Sequence, residues 1–143
     1  MRTAYRIIAM LIPIFVLVQL TVIAGAWFLV LNDLDSGSVL DKNTVDNWAH
    51  VVHSQVGMIV IPLLGLSLLI VSFFARVPGG IKWAAITLGV IFLQVFLAFA
   101  GFAAPLVGLL HGLNAAAVAA VAEVAARKAK VTTTAPAQPA VVA

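Results

Sequence analysis

Four apolar runs, each too long for the core of a small soluble protein, take up most of this chain. They cover residues 7–31, 49–75, 81–103 and 105–126, and the first has only Gln19 and Thr21 as polar interruptions. At 1.5 Å rise per residue, helices of these lengths reach roughly 33–40 Å, enough to cross a hydrocarbon core of about 30 Å with some tilt. Lipid offers no partner to a free backbone N–H or C=O, so a continuous apolar run spans as a helix. Across 143 residues the chain is 64% hydrophobic and 9% charged, whereas ordinary globular domains are about 45–50% apolar and about 25% charged. The sequence is that of an integral membrane protein.

The links between the runs set their arrangement. Arg76-Val77-Pro78-Gly79-Gly80 forms a tight turn between the second and third, and Phe102-Ala103-Ala104-Pro105 forms one between the third and fourth. Links this short force antiparallel neighbours, so the expected fold is all-α, an up-down-up-down four-helix bundle over residues 1–130. Arg2, Arg6 and Ala24-Gly25-Ala26 resemble parts of a signal peptide, but the apolar stretch exceeds an h-region and continues through Leu31, so it reads as a retained span.

Arg2, Arg6, Arg76, Lys82, Arg127, Lys128 and Lys130 all fall on one side of the bundle, and Lys42 alone on the other. By the positive-inside rule both termini are cytoplasmic. Tyr5 and Trp83 then mark the inner interface, Trp27 and Trp48 the outer one. Residues 131–143 lack helical period and charge and read as a disordered cytoplasmic tail. Their Ala, Val, Pro and Thr bias points to a high-GC bacterium, and so to a multi-pass protein of the bacterial plasma membrane.

Charge and cysteine usage narrow the chemistry. The net charge of +3 is no nucleic-acid signal, because the cations flank the apolar runs instead of forming a patch. With no cysteine, disulfides, thiolate nucleophiles, iron–sulfur ligation and covalent c-type haem attachment are excluded. Asp33-x-Asp35 does not open an EF-hand, since Ser38 stands where glycine is needed and Thr44 where a bidentate Glu is needed. There is no phosphate loop, no Ser-His-Asp arrangement and no pair of carboxylates in a span, so no catalytic residue is assigned.

What remains is three histidines inside the apolar runs: His50 and His53 in the second, His111 in the fourth. Ionisable groups in hydrocarbon are costly and usually face the bundle interior. The one other such group, Glu123, lies one turn before Arg127 and reads as half of an i,i+4 ion pair. The two halves of the chain echo each other. Gln19 precedes Ala24-Gly25 in the first run, and Gln94 precedes Ala100-Gly101 in the third. Each is followed by a run with an early histidine and a small residue four positions later, His53 with Gly57 and His111 with Ala115. These are two helix-pair pseudo-repeats, expected about an axis along the membrane normal.

Counted from Asn47 and Pro105, both histidines lie six residues in, roughly 9 Å below the outer surface. Two imidazoles at one depth, with Gly57 and Ala115 leaving flat space beneath them, suit the axial positions of a b-type haem. On this reading His53 and His111 ligate the haem iron. His50, one turn above His53, is an alternative ligand, a propionate partner or an interfacial group. The competing reading is that the histidines bond a neighbour's backbone or a lipid headgroup and hold no cofactor. Gln19 and Gln94 read as interhelical hydrogen-bonding residues, while Asn114 and Gln55 fit either account.

From Gln19 to Ala126 the chain resembles a family of small four-span actinobacterial membrane proteins of unknown function. The features that carry this are Gln before Ala-Gly in the first span, His-x-x-x-Gly opening the second, Gln in the third and His-x-x-Asn opening the fourth. The arrangement also resembles one four-helix half of a haem A synthase, a likeness under which His53 and His111 map to the paired haem ligands. That family has two such halves and a carboxylate near its substrate-side histidines. This chain has one half and lacks the carboxylate, so a complete synthase is not expected.

Two functions follow as expectations. One is a small membrane protein holding one haem b near the outer leaflet, in electron transfer or as a haem-handling accessory, with membrane redox proteins or a respiratory complex as partners. The other is a cofactor-free structural or assembly subunit packed against a larger membrane complex. No motif makes the chain an enzyme.

Overall fold

The computed structural model describes residues 1–130, so the tail expected at 131–143 lies outside the described residues. Four helices carry the fold: α1 (Arg2–Asp35), α2 (Trp48–Ala75), α3 (Gly80–Ala103) and α4 (Pro105–Lys128). Each is long and apolar enough to cross a membrane, and the described residues contain no strand.

The helix ends follow local chemistry more than the limits of the apolar runs. α1 continues through Asn32 and Asp33 until Gly37, at φ 94°, takes the left-handed conformation that ends it. In the following loop the backbone N–H of Asn43 donates to Asp41 Oδ1 at 2.7 Å, and this bond holds the Asp41 carboxyl below the usual carboxylate range. Asn47 then starts α2: its side-chain oxygen accepts from the N–H groups of Ala49 and His50, both at 3.1 Å. Its amide donates to the carbonyl of Ala26 at 3.0 Å, tying the start of α2 to α1. Arg76, at φ 52°, closes α2, and the α4 helix opens with a single tighter turn at Pro105–Val107.

α2 is not uniform. Over Val56–Val60 it widens into a π-turn, with the Ile61 N–H bonded to the Val56 carbonyl. Pro62 is the physical reason, because its ring cannot sit against the carbonyl four residues earlier in a regular α-helix. The widened turn accommodates that clash and begins three residues after His53.

Buried positions recur every three or four residues on all the helices. They are Tyr5, Ala9, Ile12, Val16 and Gln19 in α1, Ile61, Gly65, Leu68, Ser72 and Ala75 in α2, and Gly80, Ala84, Thr87 and Ile91 in α3. α4 contributes Val118, Ala122 and Ala125. This spacing is a coiled-coil-like seam, and its many small residues let helices approach closely where lipid gives no hydrophobic drive to associate. α1 packs on α2 and α4, and α3 packs on the same two, so α2 and α4 lie diagonally across the bundle.

The core is concentrated at one end. There Arg2 donates to the carbonyl of Arg76 at 2.9 Å, and the Tyr5 hydroxyl donates to the carbonyl of Gly80 at 3.0 Å. Tyr5 is fully buried and Trp83 half-buried against the same core. A tyrosine hydroxyl that reaches a backbone acceptor can be buried without loss. Trp27 and Trp48, at the other end, are exposed as expected. The distal half, where the histidines lie, contains few buried residues, among them Gln19, Ala26, Ala49 and Leu97.

Candidate functional site

His53 on α2 and His111 on α4 point toward each other across the bundle diagonal, their ring centroids 6.4 Å apart and their planes at 63°. Both are half-buried. Each ring is anchored from the neighbouring helix in the same way. His53 Nδ1 lies 3.3 Å from the backbone carbonyl of Gln19 on α1, and His111 Nδ1 lies 3.0 Å from the backbone carbonyl of Gln94 on α3. A carbonyl oxygen only accepts, so Nδ1 carries a proton in both rings, and in a neutral ring Nε2 is then left with its lone pair. A backbone carbonyl holding Nδ1–H is the usual outer-shell support for a histidine that ligates through Nε2.

The two halves differ in what reaches that nitrogen. Gln94 Nε2 lies 3.1 Å from His111 Nε2, and Asn114 Nδ2 donates to Gln94 Oε1 at 2.8 Å and to the Val90 carbonyl at 2.9 Å. Around His111 the donors and acceptors are therefore matched. Around His53 they are not. Val56 stands where Asn114 stands in the other half, three residues after the histidine. Gln19 is 8% exposed, and both atoms of its amide lack a hydrogen-bond partner among the described residues.

There is room for a methyl group at Gly57, and Ala115 is half-buried. A Cβ added at Gly57 would meet Gln19 Oε1 at 3.5 Å, and Ala115 packs against the core. Gln94 makes interhelical bonds with its side chain as expected, but Gln19 does so only through its backbone. His50 is not brought to the pair. It meets the indole of Trp27 edge-on at 5.6 Å and 89°, beside a cleft lined also by Asp33, Asp41 and Asp46. Gln55 is exposed on α2. Glu123 bonds Arg127 at 2.9 Å as the i,i+4 spacing implied, which accounts for the one carboxylate in a span.

Asn114 is the residue that sequence reasoning left unassigned. Its signal was present in the i,i+3 spacing from His111, which sets both side chains on one face of α4. Its acceptor on Gln94 could not be seen, because that bond depends on how α3 and α4 are rotated. Among the described residues no group of three or more His, Cys, Asp or Glu side chains could hold a metal ion. The pair can supply two ligands, which is what an iron already held in a macrocycle requires. Comparisons with protein-family models, with curated proteins and with solved structures gave no match.

Proposed function

We propose that this chain is a multi-pass protein of the bacterial plasma membrane that holds one b-type haem between α2 and α4, as an electron-transfer protein or haem-handling accessory. The carrying observation is the pair itself: two inward-facing imidazoles, each with Nδ1–H on a backbone carbonyl and centroids 6.4 Å apart. Cofactor sites in helix bundles are built from side chains on facing helices, and imidazole is a usual ligand for haem iron. The donor set therefore fits the group. His53 and His111 would hold the iron, and Gln19 and Gln94 would orient the rings through their carbonyls. Haem would supply a one-electron redox couple in a low-dielectric site. A sparsely buried distal half supports the reading, because its side chains can move apart at less cost than those of the packed end.

In this proposal the helices run up-down-up-down with both termini cytoplasmic, and the pair sits near the outer leaflet. The cation bias supports that orientation, and the matching Gln–His contacts of α1–α2 and α3–α4 support the pseudo-repeat. A reporter fused after Lys130 is expected to be active only as a cytoplasmic fusion, and one inserted at Ser36 only as an external one. The opposite pattern would reverse the orientation.

One observation favours the second reading, a cofactor-free packing subunit: Gln94 already occupies His111 Nε2. A visible spectrum of the detergent-purified protein, as isolated and after haem supplementation and dithionite reduction, separates the two. A Soret band with sharp reduced α and β bands is expected. A folded protein with no Soret band after supplementation supports the packing subunit.

A further inference from the structure

We propose that Gln94, oriented by Asn114, is a latch on His111. It fixes the ring proton on Nδ1 and competes with any metal for Nε2. The competition for Nε2 rests on the haem reading, while the position of the ring proton concerns the protein without cofactor.

The direction of every bond in the network follows from groups that can act in only one way. The Val90 carbonyl accepts, so the Asn114 atom facing it at 2.9 Å is the amide nitrogen. The second hydrogen of that nitrogen serves Gln94 at 2.8 Å, which makes the atom there Oε1. Gln94 must then turn its NH2 toward His111, and at 3.1 Å it donates to an Nε2 that carries no proton. The backbone carbonyl of the same residue takes the Nδ1 proton at 3.0 Å. Gln94 thus engages both ring nitrogens. A proton at Nε2 would face the Gln94 NH2, and flipping the Gln94 amide would set two NH2 groups of Gln94 and Asn114 against each other. Either change leaves unpaired donors in a low-dielectric span, a costly outcome.

His53 has no such device. Val56 cannot orient an amide, and no side-chain bond from Gln19 reaches the ring. The two histidines are therefore unequal: among the described residues the Gln19 amide makes no bond to His53, whereas the Gln94 amide caps His111 Nε2. The strength of the latch sets how readily His111 can ligate.

The test uses 15N-labelled, detergent-purified full-length protein without haem, and reads the histidine ring nitrogens by long-range 1H–15N correlation. His111 is expected to be protonated at Nδ1 only, with an Nε2 resonance shifted by an accepted hydrogen bond. In Gln94→Leu that resonance is expected to move toward the position of an unbonded ring nitrogen, and in Asn114→Leu part of the way. A protonated Nε2 in the parent, or a resonance unmoved in Gln94→Leu, would overturn the latch. Haem titration then reads the competition. Gln94→Leu is expected to bind about three- to tenfold more tightly than the parent, since one hydrogen bond is no longer displaced, and Gln55→Leu to bind like the parent. Equal or weaker binding by Gln94→Leu would refute the competition. If neither parent nor variants take up haem, the haem reading fails and the 15N result alone decides the latch.

Discussion

His111→Ala is expected to abolish any haem absorbance. α4 carries no second histidine, and Asn114, three residues on, is committed to Val90 and Gln94. His53→Ala is expected to do the same, because His50 lies one turn away with its ring edge against Trp27. To replace His53 it would have to leave that contact and reach about 4.5 Å further along the helix axis. His50→Ala is expected to leave the spectrum nearly unchanged. Absorbance at the Soret maximum per mole of protein, with circular dichroism to verify helix content, checks all three. A band that shifts in His53→Ala without vanishing would make His50 a working substitute. A band that persists in His111→Ala would remove the diagonal pair as the ligand set.

The largest expected effect on stability is at Gly101, where α3 and α4 come together backbone to backbone. A Cβ there would meet the Gly108 Cα at 3.0 Å and its nitrogen at 3.3 Å. Neither atom can rotate away, so Gly101→Leu must push the distal ends of α3 and α4 apart. The cost expected for such overpacking is about 1–3 kcal/mol. The displacement also separates Gln94 from His111. Gly112→Leu is the matched control: nothing lies within 4 Å of a Cβ at Gly112, although it adjoins His111. It should change stability by less than about 0.5 kcal/mol. Thermal unfolding in detergent, followed by circular dichroism, compares the two variants. Equal midpoints would show that the close approach at Gly101 is not needed for α3–α4 packing.

Gly65 shows why distance alone does not rank such sites. An added Cβ there comes nearer to its neighbour, 2.7 Å from Ile91 Cδ1. That atom is the end of a flexible side chain, which can turn aside, whereas the obstacle at Gly101 is main chain. The spacing of glycines in the sequence gives no hint of this difference.

The number of helices and their approximate limits were legible in the sequence. Long apolar runs have one way to satisfy their backbone in lipid, and Gly37, Asn47 and Arg76-Val77-Pro78-Gly79 stop and start them by local chemistry. The sequence also brought out His53 and His111, because a titratable group in an apolar run is conspicuous, and the ion pair of Glu123 with Arg127, because that contact lies within one helix. It could not decide which face of each helix turns inward. These helices are apolar all round, so no amphipathic stripe marks the seam of Tyr5, Ala9, Ile12 and Val16. The rotation of each helix was settled by small residues meeting across the bundle, as at Gly65 with Ile91 and Gly101 with Gly108. That rotation turned His50 toward Trp27 and His53 toward His111, gave Gln94 to His111 and left the Gln19 amide without a partner among the described residues. Contacts between helices that read alike in sequence are fixed by shape complementarity over their whole length, and that property belongs to the tertiary structure alone.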